Sequence, residues 1–430
     1  MRRSFRIVNT IVITVTSLIF LSGCWDRLDP ENMAFVIAIG VDEGPQNDFL
    51  FSFAIAVPKL SDMGQSSGGG GNKVVIVHTV EGSNMASALA LSQSFIARRL
   101  TLIHSKALII GEGLARKGVM PLLSEAVRNR EFRRTVNMIT AKGKAKDYLQ
   151  FVQPTTEQDV SFWFELELDP KNQGGTIPKQ ARFHEFIMDV ESKGTGAISI
   201  LSAPRPDVKK GKANISSDEK DLNPDAKQPI VSDQYAGKIK RTGDVPVEFF
   251  GSAIYKSSSL VGYLNGSETR ILNMLRGELE ETVWDFNDPS DKKLNLSMTM
   301  NADRQAKLKI KRKGDQVTAI FDVKLEGELI SVQTKVNYIQ ANNREKLEKS
   351  IQKQLHEDAL KLLNKTIHHW NVDCYRINNR VVSTFSSVQE WDAFNWSSHL
   401  KEMKYEVNIT FVMRRYGGQV GPAIEGDQVS

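Results

Sequence analysis

The chain has 430 residues, with 56 Lys and Arg against 51 Asp and Glu and a formal charge of +5. Arg2, Arg3 and Arg6 supply three of those positive charges at the very start, which leaves about +2 for the remainder and no electrostatic reason to expect a nucleic-acid partner. Apolar residues at 40% and charged residues at 25% are ordinary for a globular body, and the length suits two or three domains rather than one core.

The N terminus reads as an export signal. Met1-Arg2-Arg3-Ser4-Phe5-Arg6 is followed by an apolar run over 11–21 and then by Ser22-Gly23-Cys24. A membrane anchor needs about 20 apolar residues; this run is shorter and is interrupted by Thr14, Thr16 and Ser17. An ordinary secretory signal ends in small residues with no need of a cysteine. Residues 1–23 are therefore expected to be a lipoprotein signal peptide. Ser22 and Gly23 would let a protease reach the backbone, and the Cys24 thiol would carry a diacylglycerol thioether. That reading holds the body on a membrane surface outside the cytoplasm. It also leaves Cys374 without a partner for an internal disulfide, so Cys374 is expected to be a small buried hydrophobe.

In chain order, strands are expected at 33–41, 49–57 and 73–80, with the glycine-rich loop 65–71 before the third. Ser83 is a plausible cap for a helix over 84–99; a strand at 102–110 and a helix at 114–128 follow. A strand at 136–141, a helix at 144–151, a helical pattern at 178–189 and a strand at 197–201 complete the first region. Strands and helices mix there without strict alternation, which favours α+β over a doubly wound sheet. The stretch 204–229 is polar, nearly free of aliphatic residues, and reads as a solvated loop or linker. Beyond it the pattern predicts a hairpin at 247–255 and 260–264 and a short helix at 268–276. Strands at 294–300, 306–311, 316–324 and 326–333 are expected to form an antiparallel meander. A long helix over 343–370 carries Leu347, Ile351, Leu355, Ala359, Leu363 and Ile367 at steps of four, enough to cover one sheet face, and 405–415 reads as a last strand.

The expected division is a signal at 1–23, an N-terminal α+β region at 24–202 that could split into lobes near 145, and a polar linker at 203–243. A C-terminal α+β domain at 244–417 and a disordered tail at 418–430 follow. The fold class is α+β with three domains, mixed and antiparallel sheets packed with helices, and the long helix in the last domain.

No motif defines an active site. Ile109-Ile110-Gly111-Glu112-Gly113-Leu114-Ala115-Arg116 imitates a dinucleotide loop, but Arg116 stands where the third glycine belongs, so a plain strand-to-helix turn is the better reading. His368 and His369 are adjacent and must face different sides of a helix, and His356 lies 12 residues before His368, which is no metal-ligand spacing. Glu165, Glu167 and Asp169 read as a solvated edge, and the basic run 307–313 as the polar side of a strand. No catalytic, metal-binding or cofactor-binding residue is expected.

Several segments together carry a family resemblance. They are Cys24-Trp25-Asp26-Arg27, Met33-Ala34-Phe35-Val36-Ile37-Ala38-Ile39-Gly40-Val41-Asp42, Glu81-Gly82-Ser83, Arg98-Arg99-Leu100 and Ala141-Lys142-Gly143-Lys144-Ala145. The second region adds Gly251-Ser252-Ala253-Ile254-Tyr255, the stretch from Leu260 to Arg270, and a closing Arg414-Arg415-Tyr416-Gly417. The chain thereby resembles the Ger(x)C lipoproteins, the C subunits of spore germinant receptors. Residues 372–401 depart from the family pattern while keeping Trp391, Phe394 and Trp396. The resemblance implies a non-enzymatic protein on the inner spore membrane, anchored through Cys24, with an integral-membrane A subunit and a transporter-like B subunit as partners. It implies no cofactor. The rival readings are an extracytoplasmic solute-binding lipoprotein, against which the meander and long helix argue, and a cell-wall hydrolase, which lacks a catalytic constellation here.

Overall fold

A computed structural model of the chain describes residues 2–20, 29–45, 49–56, 75–152, 157, 159–204, 233–239, 245 and 247–416. Cys24, the loop 65–71, nearly all of the polar stretch 204–229 and the tail from 418 lie outside the described residues.

Helix α1 (Arg2–Phe20) comes first. The first sheet contains β1 (Met33–Glu43), β2 (Phe49–Ala56), β3 (Val75–Gly82), β4 (Arg99–Thr101), β5 (Ala107–Gly111), β6 (Asn137–Ala141), β7 (Gly196–Pro204), β8 (Val247–Lys256) and β9 (Ser259–Leu264). Its order is β3-β2-β1-β5-β6-β7-β8-β9, with β4 pairing the start of β1. The central strands β1, β5, β6 and β7 run parallel, and antiparallel pairs flank them on both sides.

Helices α2 (Met85–Ser92), α3 (Glu112–Lys117), α4 (Met120–Ala126), α5 (Ala145–Phe151), α6 (Val160–Glu167) and α7 (Phe183–Glu191) cover the two faces. Parallel strands between two helical layers are buried on both sides and read as continuous apolar runs. Accordingly β5 and β7 are buried at every position. Leu108 and Ile110 enter a core with Leu114, Leu122 and Phe186, whereas Ala107 and Ile109 enter another with Leu149, Trp163 and Phe164.

The second sheet is built differently. After α8 (Gly266–Arg276) come β10 (Thr282–Asn287), β11 (Asn295–Lys313), β12 (Gln316–Val332), α9 (Ala341–Leu363), α10 (Ile377–Val381), α11 (Val388–Phe394), α12 (Trp396–His399) and β13 (Lys404–Arg415). The order is β10-β11-β12-β13, antiparallel except for β13, which lies parallel to β12. Leu347, Ile351, Leu355, Ala359 and Leu363 of α9 are buried in one core with Phe321, Val323, Leu325, Val407 and Phe411. Ile367 continues the stripe through a π-helical turn at Asn364–His369. The expected long helix and its apolar stripe are thus present.

Several elements differ from the sequence reading. The meander of four short strands is one hairpin of two long strands, because the interruptions are β-bulges, with register shifts at Ala302/Arg304 and Arg304/Lys307, rather than turns. The sheet's last strand, β13, is parallel to β12 because a helical crossover precedes it. The helix expected over 114–128 is split into α3 and α4 at Gly118, whose φ of +125° ends α3. The helix expected over 84–99 ends at Ser92, a turn follows, and Arg99 opens β4. Glu165 and Glu167 stand on helix α6, whose Trp163 and Phe164 are buried, while Glu165 and Asp169 are exposed as a solvated edge requires.

The first sheet also crosses the expected linker. The outer edge of β7 carries backbone N–H and C=O groups that need partners, and β8 supplies them in register from Gly196↔Lys256 to Pro204↔Val247. The hairpin assigned to a C-terminal domain from 244 therefore completes the N-terminal sheet. Near 145, the Asp42 carboxylate on β1 accepts hydrogen bonds from Ala145 and Lys146 N–H.

Candidate functional site

In sheets with parallel central strands, ligands bind beyond the carboxyl ends of those strands. Here that edge brings together Asp42 at the end of β1, Gly111 at the end of β5, and Lys142-Gly143 after β6. As expected, 109–116 forms a strand-to-helix turn, with Gly111 preceding α3. The turn is closed by the protein itself. Asp42 Oδ1 accepts Ala145 N–H at 2.7 Å and Oδ2 accepts Lys146 N–H at 2.8 Å, so the start of α5 already holds a carboxylate. A Cβ on Gly111 would lie 1.9 Å from Asp42 Oδ1, so only glycine fits beside that carboxylate. Burial pushes the Asp42 carboxyl upward, while the two N–H donors oppose the shift. Glu112 N–H bonds Gly143 O at 2.8 Å and ties the two turns together.

Polar side chains buried beneath this edge are also paired internally. Thr140 Oγ1 lies 2.6 Å from both Ser199 Oγ and Tyr255 Oη, and Tyr148 Oη lies 2.8 Å from Ser202 Oγ. Burial raises both tyrosine pKa values, although the hydroxyl partners work against it. These groups hold strands and helix in register. At the rim, the Lys142 ammonium donates to Ala236 O at 2.8 Å and stands over the rings of Tyr235 and Tyr263. It is therefore committed to packing the segment 233–239 onto the sheet.

A second polar cluster joins α7 to the segment between α9 and α10. Arg376 donates to Asp189 through Nε at 3.0 Å and through a terminal nitrogen at 2.9 Å, and to Gln180 Oε1 at 2.7 Å. Asp373 is fully buried and accepts Tyr375 and Asn378 N–H, both at 2.9 Å. Burial pushes its pKa up to about 6 against the pull of those donors. Cys374 beside it is buried and reduced, with its thiol pushed upward by burial, as expected of a small hydrophobe. A cavity of about 700 Å³ opens between Arg276, residues 305–309 of β11 and Arg380. Its two deepest cations are already engaged: Arg276 bonds Glu278 and Cys374 O, and Arg376 bonds Asp189.

The remaining candidates do not converge. His356 Nδ1 contacts Val407 O, His368 Nδ1 contacts Lys401 O, and His369 contacts Asn364. Among the described residues no group of three His, Cys, Asp or Glu could hold a metal ion. Glu165 pairs with Lys106, and Glu167 accepts from Gln173. In the basic run, Leu308 and Ile310 pack against the core while Lys307, Lys309 and Lys311 are exposed, which is the alternation expected of a strand. The buried hydroxyl cluster and the Asp189–Arg376 pair were not foreseen from sequence. Their partners stand 54 to 187 residues apart and leave no local signal.

Helix α1 leaves Phe5, Ile7, Ile11, Val12 and Ile13 exposed. No described helix is long and apolar enough to cross a membrane.

The architecture defines an α+β protein in which a mixed sheet, closed by its own polar groups, is joined to a smaller helix-backed sheet. The model of the spore germination protein N-terminal domain matches residues 26–203, and that of the spore germination B3/GerAC-like C-terminal domain matches residues 250–417. The chain belongs to the Ger(x)C family of spore germination proteins. Among its relatives, spore germination protein B3 of Bacillus subtilis is 22% identical over 93% of this chain and 96% of its own length. Spore germination protein KC of the same organism is 32% identical, over 33% of this chain and 36% of its own length. The putative spore germination protein YfkR is 26% identical over 48% of this chain, and that alignment spans about half, 53%, of YfkR itself. The crystal structure of the GerBC protein aligns over 87% of this chain and 96% of its own, at a TM-score of 0.48 and 16% identity.

Proposed function

We propose that this chain is a lipid-anchored, non-catalytic subunit of a nutrient germinant receptor in spores. It acts in germination through contacts with integral-membrane A and B subunits, and it lies on the extracytoplasmic face of the spore inner membrane. The observation that carries the reading is the pair of family matches, which span both halves of the body. The signal-like residues 1–23 ending at Cys24 support the anchor, as do the bare apolar side chains of α1. A diacylglycerol thioether brings two acyl chains, at about 0.8 kcal/mol for each buried CH₂, which suffices for stable anchoring.

The test is metabolic labelling with a fatty acid in sporulating cells, followed by nutrient-triggered germination of the spores. The parent chain should take up label and the Cys24→Ala variant should not, with weakened germination in the variant. Equal labelling of the two would defeat the anchor. Normal germination of spores lacking the chain altogether would defeat the receptor role. Thermal stabilisation of the purified chain by a nutrient would favour the solute-binding alternative instead.

A further inference from the structure

An arginine-rich face borders the point where the chain enters the folded body. β4 pairs Met33 with Arg99 and Ala34 with Leu100, so the incoming end of β1 lies beside Arg98-Arg99. The segment following α4 packs against the same place: Glu131 pairs with Arg99 at 3.3 Å and accepts Leu102 N–H at 3.1 Å. That segment carries Arg128, Arg130, Arg133 and Arg134, all exposed. Together with Arg98 they have no ion pair among the described residues. Glu125 is held by Met85 and Ala86 N–H at 2.8 and 2.9 Å, and Glu131 is engaged as described. On the turn after α2, Phe95 is 54% exposed with its ring against His78. A chain with so small a net charge concentrates unpaired guanidinium groups and a bare aromatic ring here.

The tether sets the geometry. Cys24 stands nine residues before Met33, so the lipid-bearing sulfur can lie no more than about 30 Å from the start of β1. We propose that this face docks on a membrane surface of anionic lipid, with Phe95 at the interface and the arginines on phosphate headgroups. The proposal rests on the reading of Cys24 as the lipid anchor. Arginine binds phosphate bidentately, and its attraction to an anionic leaflet acts within about 8 Å at physiological salt. Docking fixes which side of the body faces the bilayer and leaves the second sheet, with its own lysines on β11, free for other contacts.

The experiment uses the full chain as isolated from membranes, reconstituted into vesicles of phosphatidylglycerol or of phosphatidylcholine, with intact mass spectrometry establishing lipidation at Cys24. Amide hydrogen exchange is then compared over 93–99 and 127–134. The account predicts exchange slower by about tenfold or more in phosphatidylglycerol, lost in high salt and lost in the triple variant Arg130→Gln/Arg133→Gln/Arg134→Gln. Neutralising Lys307, Lys311 and Lys313 to Gln should leave the protection intact. A lipidated chain with no added protection there, or with protection confined to β11, overturns the docking face and leaves the anchor standing. An unlipidated chain that still binds phosphatidylglycerol through these arginines overturns the anchor and keeps the face. An unlipidated chain that binds neither vesicle overturns both.

Discussion

The two sheets of this protein solve the same burial problem in opposite ways. In the first sheet β5 and β7 are buried at every residue, so any polar side chain on them must find a partner inside the protein. Thr140, Ser199, Ser202, Tyr148 and Tyr255 do so with one another. In the second sheet, β11, β12 and β13 largely alternate buried positions with half-buried or exposed ones, and one face is covered chiefly by α9. There the polar side chains turn to water and the apolar ones form a single core. The contrast teaches that polar side chains are structural cement in the first sheet and largely a matter of solubility on the strands of the second.

The seam between the sheets should be the most sensitive point. Arg376→Ala leaves the buried Asp189 carboxylate without its cation, a change that typically costs about 3–5 kcal/mol, and denaturant unfolding should register a loss of that order. Replacing both Asp189 and Arg376 by apolar residues should restore much of it. Next come Leu355→Ala and Leu363→Ala, both in the α9 stripe, each expected to lower stability by about 2–5 kcal/mol. Lys353→Ala, on the outward face with its side chain 76% exposed, should be near neutral. The reverse pattern would show that α9 faces the other way. Leucine variants that stay folded but fail to co-purify with membrane subunits would make the stripe an interface.

Asp373 gives the comparison a pH axis. Its folded pKa is pushed up to about 6 by burial, above an unfolded value of about 3.9. The stability that comes from the neutral carboxyl is therefore complete below about pH 4 and is lost as pH rises through 6, by about 3 kcal/mol in all. The unfolding free energy of the parent, less that of Asp373→Asn, should fall by about 3 kcal/mol over that window, as measured by denaturation at stepped pH. A flat difference would mean that the carboxyl titrates normally.

A smaller effect separates the sheets directly. Thr140→Val strips Ser199 and Tyr255 of a shared buried partner and should cost about 1–3 kcal/mol. Thr410→Val, exposed on β13, should change stability by less than about 0.5 kcal/mol. Similar losses at both positions would remove the distinction.

What was legible in the sequence follows the same division. The α9 stripe, the hairpin of β8 and β9 and the final strand are local patterns, and periodicity alone locates them. The bulges that join β11 into one strand are not local: Arg304 and Lys307 look like a break until the facing strand is known. Gly118 marks the split between α3 and α4 only through its φ of +125°, which a sequence does not display. The same holds for the candidate site. The proposed anchor Cys24 is read from its sequence neighbours alone, whereas Asp189 and Arg376 stand 187 residues apart and are joined only by folding. The polar stretch near 204–229 marks a change of composition and the gap between the two family matches, yet the first sheet continues beyond it through β8 and β9.

That continuity is the central structural claim, and native-state amide hydrogen exchange tests it most directly, because strands of one cooperative unit open with one free energy. The account predicts that 247–264 will exchange together with 107–111 and 137–141 as the denaturant concentration is raised. Exchange of 247–264 in step with 295–332, and apart from 107–111, would contradict it and return β8 and β9 to the C-terminal unit.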